Sequence, residues 1–186
     1  EYEIDRSSPV IIIDRNKCIL CGRCVRACNE IQVNGILDFG ERGYDRKVIA
    51  GFDDPLAESL CYSCGECISV CPVGALTEKM PRFKALPWEL NTVRTVCAYC
   101  GVGCTIDVKV KDGEIIKVES PDSDVGVNKG SLCVKGRFGY DFVYSEERVT
   151  TPLIKENGSF REASWDEALS LVAKKFSDIR DEYGSD

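Results

Sequence analysis

Cys18-Ile19-Leu20-Cys21-Gly22-Arg23-Cys24-Val25-Arg26-Ala27-Cys28 and Cys61-Tyr62-Ser63-Cys64-Gly65-Glu66-Cys67-Ile68-Ser69-Val70-Cys71-Pro72 are two copies of one spacing, C-x2-C-x2-C-x3-C. Steps of two residues let three successive thiolates converge on three corners of an inorganic core while the backbone wraps around it. Gly22 and Gly65 follow the second cysteine of each run, where a side chain would crowd that core and where a positive φ is often required. The spacing therefore points to two [4Fe–4S] cubanes.

In runs of this form the first three cysteines hold one cluster and the fourth reaches across to the other. The expected sets are Cys18, Cys21, Cys24 and Cys71 for the first cluster, and Cys28, Cys61, Cys64 and Cys67 for the second. Paired C-x2-C also builds zinc ribbons, but a zinc site takes four ligands and has no use for a third cysteine two residues on. A disulfide framework suits short secreted chains, whereas twelve cysteines in tight repeats suit metal binding in a reducing compartment.

The chain has 186 residues, enough for one large domain or two small ones. With no histidine it has no histidine-ligated haem, no Rieske ligation and no histidine acid–base catalysis in this segment. A formal charge of -7 argues against a nucleic-acid partner, whose binding face would be basic. No apolar run approaches membrane-spanning length and no signal peptide is visible, so the expected location is cytoplasmic. The sequence opens at Glu1 without Met and stops at Asp186, which reads as a segment cut at both ends.

In chain order, Pro9 to Asp14 reads as a buried strand feeding the first run. Val25, Ala27, Cys28 and Ile31 suit a short helix over the first cluster, and Cys67 to Val70 its symmetric partner. The 32 residues at positions 29–60 exceed the needs of a minimal two-cluster domain. Gly35, Gly40, Gly43 and Gly51 with Val48-Ile49-Ala50 predict a hairpin there, followed by a short helix near Pro55 to Leu60. Gly74-Ala75-Leu76 begins a closing strand. The expected domains are residues 1–80, a linker at 81–91 carrying Pro81 and Pro87, a second cysteine-bearing unit at 92–148, and the start of another domain at 149–186.

The second unit carries Cys97-x2-Cys100-x3-Cys104, then the 28 residues at positions 105–132, then Cys133. Between them Ile106, Val108 and Val110 alternate with charged residues, and Asp112-Gly113 turns the chain into Glu114 to Val118, a hairpin signal. By itself this ligand set also suits a four-cysteine zinc site. After two cubane-type runs it reads better as a third [4Fe–4S] cluster held by Cys97, Cys100, Cys104 and Cys133. Farther on, Pro152 to Phe160 suggests a small hairpin and Ser164-x2-Glu167 a capping box. Trp165, Leu169, Val172, Phe176 and Ile179 recur at helical spacing up to Tyr183-Gly184, and these apolar residues read as core.

Val96-Cys97-Ala98-Tyr99-Cys100-Gly101-Val102-Gly103-Cys104 and Asn128 to Phe142, with Cys133-Val134-Lys135-Gly136-Arg137-Phe138-Gly139-Tyr140 at its centre, closely resemble the N-terminal iron–sulfur domain of molybdenum- or tungsten-dependent formate dehydrogenases. Upstream, Asp14-x2-Lys17-Cys18 and Glu58-Ser59-x-Cys61 resemble the ferredoxin-like extension of their cytoplasmic, multi-cluster members, and also the large subunit of complex I. Asn29 departs from the pattern, standing where a free ferredoxin has Pro. The resemblance implies an α+β fold: a two-[4Fe–4S] ferredoxin-like domain, a small β-rich molybdopterin-oxidoreductase [4Fe–4S] domain, and the start of the pterin-binding domain, so that the apolar stripe from Trp165 to Ile179 is expected to be partly orphaned in this segment.

It further implies a Mo- or W-bis(pterin guanine dinucleotide) cofactor and formate/CO2 interconversion in the full-length protein. The catalytic selenocysteine or cysteine would lie beyond Asp186, so no catalytic residue falls in this segment. Lys135 matches the lysine that bridges cluster and pterin in the family; the bland alternative is a solvated surface lysine. The expected function is an electron relay to a redox partner such as a flavin/NAD diaphorase, a ferredoxin or a hydrogenase-type subunit. The alternatives are a non-catalytic electron-transfer subunit of a complex I-like or hydrogenase-type assembly, and an interaction module with zinc in its third site.

Overall fold

The computed structural model describes residues 1–184. Its chain forms two compact units, the first Glu1–Asp141 and the second from Phe142 onward.

In the first unit the strand before the first cysteine run pairs with the strand after the second. β1 (Ile11–Ile13) lies antiparallel to β4 (Leu76–Glu78), with Ile11 opposite Glu78 and Ile13 opposite Leu76. The run of three β-branched residues suits a strand closed in on both faces, and all three isoleucines are buried. Between these strands the two cysteine loops copy each other. Gly22 (φ 73°) starts α1 (Arg23–Arg26) and Gly65 (φ 78°) starts α2 (Glu66–Ser69), so each glycine makes a left-handed entry into a one-turn helix. Leu20 and Ser63, at matching places, also have positive φ, and their N–H groups donate to the Sγ atoms of Cys18 and Cys61 at 3.4 Å.

α1 widens into a π-helical turn, Ala27–Ile31, which carries Cys28. Asn29 then donates from its amide to the carbonyls of Val25 (2.8 Å) and Leu37 (3.0 Å), tying the long insert to the helix; proline could do neither. The insert forms the hairpin β2 (Leu37–Gly40) and β3 (Lys47–Ala50), and the Phe39 ring packs on Gly22. The helix expected at Pro55 to Leu60 is a hydrogen-bonded turn instead, in which the N–H groups of Glu58 and Ser59 both reach the Pro55 carbonyl. Side chains from the amino-terminal segment take the neighbouring donors, Leu56 N–H going to Asp5 and Ala57 N–H to Ser7. Only Leu56 anchors the turn in the core, while Leu60 is exposed, so no second apolar position draws the helix onward.

The rest of the first unit is a meander of β5 (Asn91–Val96), β6 (Thr105–Lys111) and β7 (Glu114–Glu119). The expected β6–β7 hairpin is present, and Asp112 and Gly113 both take positive φ, as a tight hairpin turn of that sequence requires. β5 has no apolar alternation and every residue of it is exposed; its backbone pairing with β6 makes it a strand. α3 (Val134–Phe138) follows Cys133 directly. The segment before β5 is fastened to the sheet, since Glu89 accepts from Leu86 N–H and pairs with Lys111 at 3.0 Å.

The second unit holds the hairpin β8 (Leu153–Glu156) and β9 (Ser159–Glu162), then α4 (Trp165–Tyr183). Ser164 caps α4 by accepting from Glu167 N–H, while the Glu167 carboxylate is held by Arg161 rather than closing a capping box. The apolar stripe of α4 is not core here: Trp165, Leu169, Val172, Phe176 and Ile179 are all exposed. The stripe has the right period, but the described chain places no partner element over it.

Candidate metal centres

Two cavities in the first unit are lined by cysteines. Cys18, Cys21, Cys24 and Cys71 face one, together with Ile13, Val48 and Leu76. Cys28, Cys61, Cys64 and Cys67 face the other, together with Ile11, Leu37 and Leu56. The fourth cysteine of each run thus lies with the first three of the other run. β1–β4 pairing and the two short helices cause this placement, because they hold the loops face to face.

Burial is uneven within each set. Cys24, Cys28 and Cys67 are buried, whereas Cys21 is exposed. Removal from water, reinforced by neighbouring Cys18, Cys21 and Cys71, pushes the Cys24 thiol up to about 11. Burial likewise raises Cys61, and it raises Cys67 strongly, with Cys64, Cys61, Cys24 and Cys28 adding to the effect. A buried thiol of this kind gives up its proton only where a strongly positive neighbour stabilises the thiolate, and cationic iron would be such a neighbour. Among the described residues no group of three or more His, Cys, Asp or Glu side chains is drawn together as a single-ion site. The thiols ring apolar cavities and meet N–H donors, a donor set that fits a polynuclear iron–sulfur core.

The third set is built on the β5–β6 hairpin, whose turn carries Cys97, Cys100 and Cys104. Cys97 N–H donates to the Cys104 carbonyl at 2.8 Å and closes that turn. Cys133 comes back from the loop after β7, which is held by Asn128: its Oδ1 accepts from Thr105 N–H, and its Nδ2 donates to Ser120 and Ser131. Cys97 Sγ lies 3.6 Å from where a Cβ on Gly136 of α3 would stand, which brings the Cys133 end of α3 to the turn; burial raises the Cys104 thiol, with Cys97, Cys100 and Cys133 adding to the rise. Lys135 is exposed on α3, two residues past Cys133.

Arg137, which the sequence marks only as part of the cofactor-directed run Arg137-Phe138-Gly139-Tyr140, joins the third set to the second. Its side chain is 2% exposed; Nε donates to the Cys64 carbonyl at 3.0 Å and Nη2 pairs with Glu66 at 3.3 Å. Gly65 leaves the space it occupies, since a Cβ there would stand 2.8 Å from both Arg137 Nε and Phe138 Cζ. Phe138 enters the core around β1 and β4, and Tyr140 donates to the Ile116 carbonyl at 2.6 Å. The Arg137-Phe138-Gly139-Tyr140 run therefore has a packing reason of its own. The only available sequence signal was Gly65, whose need for space is invisible without its neighbour.

An open cleft beside this junction is lined by Glu78, Arg82, Lys117, Glu119 and Arg137. Glu78 is buried and one of its oxygens has no hydrogen-bond partner; Arg82 Nη1 is in the same position. Burial raises the Glu78 carboxyl above its ordinary 4.5, Glu119 adds to the rise, and Lys117 and Arg137 oppose it. The protonated form is thus favoured in the fold. Its stabilisation is complete below about pH 4.5 and is lost as pH climbs through the raised value. Glu78→Gln is therefore expected to melt no lower than wild type at pH 7, and to lose the wild-type gain in stability between pH 7 and pH 5. Anaerobic thermal unfolding at both pH values measures this, and a marked drop at pH 7 would show that the charge is needed.

Among the described residues no helix is long and apolar enough to cross a membrane.

Comparison with known proteins identifies the domains. Residues 17–75 match the 4Fe-4S dicluster domain, residues 90–145 the molybdopterin oxidoreductase Fe4S4 domain, and residues 148–186 the family described as molybdopterin oxidoreductase. The Bacillus subtilis protein named "Probable oxidoreductase YjgC" is 39% identical over all of this chain and 22% of its own length. A Rhizobium meliloti protein, named as one of the subunits of an NADH-quinone oxidoreductase, is 46% identical over 91% of this chain and 20% of its own. A Staphylococcus aureus protein (strain N315) named "Putative formate dehydrogenase SA2102" is 38% identical over all of this chain and 22% of its own. A solved NAD+-reducing [NiFe]-hydrogenase chain in the H2-reduced state is 33% identical, with 46% of this chain and 37% of that chain covered and a TM-score of 0.42. The chain spans about a fifth of the length of the curated relatives it matches.

Proposed function

We propose that this iron–sulfur segment, built from a 4Fe–4S dicluster domain and a molybdopterin oxidoreductase Fe4S4 domain, is the electron relay of a formate dehydrogenase or CO2 reductase. The observation that carries the reading is the grouping of all twelve cysteines into three foursomes along one unit, with Arg137 fastening the third to the second. When bound, three [4Fe–4S] clusters would supply one-electron carriers in series. The chain's own residues hold and shield them. Cys18, Cys21, Cys24 and Cys71, then Cys28, Cys61, Cys64 and Cys67, then Cys97, Cys100, Cys104 and Cys133 are the ligands. Ile11, Ile13, Leu37 and Leu76 keep water from the first two sets, and the N–H groups of Leu20 and Ser63 disperse thiolate charge.

The order proposed is third set nearest the Mo/W-pterin, then second, then first, because Arg137 of α3 bonds to the Cys64 loop of the second set. Lys135 is placed toward the pterin, where a compact ammonium would hold an anionic cofactor. Relatives named as formate dehydrogenases, matched over the whole of this chain, support the formate assignment. A second reading is a non-catalytic electron-transfer subunit of a complex I-like assembly. The relative named for an NADH-quinone oxidoreductase, at 46% identity, favours it.

The test uses the full-length protein, assayed for iron, sulfide, Mo and W and for formate-dependent dye reduction. About twelve iron and twelve sulfide are expected in this segment, the sum over three cubanes. Mo or W and formate turnover are expected with them, and Lys135→Ala is expected to keep the iron and lose most of the turnover. Full iron without Mo, W or formate turnover would select the second reading. Wild-type turnover in Lys135→Ala would return that lysine to the solvated surface.

A further inference from the structure

Charge is divided unevenly between the two cysteine runs. Positions 15–29 carry Arg15, Lys17, Arg23 and Arg26 and no acidic residue, whereas positions 52–78 carry five acidic residues and no basic one. The basic stretch stands out in a chain of net charge -7. Lys17 is partly answered by Asp14 at 3.3 Å, and Arg15 donates from Nε to the Val48 carbonyl. Arg23 and Arg26 make no ion pair among the described residues, although the chain has acids to spare. They line an open cleft that runs to Cys71 and includes one acid, Glu30. A further cation stands close by, because Arg46 stacks at 4.1 Å over the Phe39 ring that covers Gly22.

The same loop exposes apolar surface and a ligand. Ile19 is 62% exposed, Leu20 is 40% exposed, and Cys21 is the exposed member of its set. Apolar tip, unpaired cations and exposed cysteine together make the anatomy of a small transient interface: a contact core, a charged rim, and a short exit for an electron. Solvated cations alone would not need the aliphatic tip.

We propose that the Cys18–Arg26 loop is the docking face for an acidic one-electron carrier protein, which exchanges electrons directly with the cluster held by Cys18, Cys21, Cys24 and Cys71. This rests on the relay reading above and adds the face and the partner's chemistry. The exchange moves one electron, the cluster being oxidised as the carrier is reduced or the reverse. No bond forms or breaks and no proton moves. Cations around the loop attract the carrier's acidic surface and raise the encounter rate, while the exposed Asp54 and Glu58 ahead of the second run repel it and bias the orientation.

The experiment is anaerobic stopped-flow mixing of the cluster-loaded protein with a reduced plant-type [2Fe–2S] ferredoxin of strongly negative charge. The second-order rate constant is expected to fall steeply as ionic strength rises from about 0.01 M to about 0.5 M. Arg23→Glu with Arg26→Glu is expected to lower the low-salt rate roughly tenfold or more and to flatten its salt dependence. Arg23→Gln with Arg26→Gln, a gentler change beside the ligands, is expected to give a smaller loss of the same kind at unchanged iron content. Glu58→Lys, an exposed change just before the second run, is expected not to slow the exchange. A wild-type rate indifferent to salt, or unmoved by both arginine pairs, overturns the docking face. Clusters that accept electrons from dithionite but exchange none with the ferredoxin also overturn it, while leaving the relay standing. Clusters that accept none from dithionite overturn both.

Discussion

Cys71→Ser is expected to remove the cluster of the first run, not that of the run in which Cys71 sits. Cys71 faces the cavity of Cys18, Cys21 and Cys24, and Cys28 faces that of Cys61, Cys64 and Cys67. Losing one thiolate from a four-thiolate cubane leaves an iron open to water and the whole core labile. Iron should fall from about twelve toward about eight per chain, the content of two remaining cubanes. The EPR signal that disappears should be the one also abolished by Cys18→Ser, and Cys28→Ser should give the opposite pattern. Selective loss of the signal that depends on Cys61 and Cys64 would mean that each run holds its own cluster, and the crossed assignment would be wrong.

Arg137→Ala is the second large effect. The substitution removes a guanidinium that is 2% exposed and leaves the Glu66 carboxylate, itself buried, without its cation and the Cys64 carbonyl without its donor. Burial already raises the Glu66 carboxyl despite the opposing pull of Arg137. Breaking a buried pair from one side costs about 3–5 kcal/mol. Lower melting temperature and faster cluster loss are therefore expected. Replacing both partners, as in Arg137→Leu with Glu66→Leu, should recover part of the loss, because no uncompensated charge remains. Gly65→Ala should resemble Arg137→Ala, since its Cβ collides with the Arg137 side chain at a φ of +78°. An Arg137→Ala protein with wild-type melting and cluster retention would show that the two cysteine domains hold together by other means.

These effects also mark what the residues disclose unaided. The cysteine runs and the β6–β7 hairpin are legible because their chemistry is local: ligand spacing in one case, alternation and an Asp-Gly turn in the other. β5 is not, because Val93 and Val96 lie exposed and only a neighbouring backbone makes the segment a strand. The turn at Pro55 to Leu60 misleads because only Leu56 enters the core and Leu60 lies exposed, so nothing packs a second turn of helix in place. The α4 stripe announces a helix and its apolar face, but not whether a partner covers that face. Arg137 is the hardest case, since a buried arginine reads in sequence like any surface cation; only Glu66, Gly65 and the Cys64 carbonyl around it reveal its role.

The pairing of β1 with β4 has a consequence for how the protein is made. Ile11 meets Glu78 across a loop that contains both cysteine runs, so the clasp cannot close until the ribosome has released the second run. At about 5–20 residues per second, Cys71 follows Cys18 by roughly 3–10 s. During that interval Cys18, Cys21 and Cys24 are present without their fourth thiol, open to oxidation or to the wrong metal. Cluster delivery to this domain is thus a late event in synthesis, and all three thiols of the first run need cover while the chain waits.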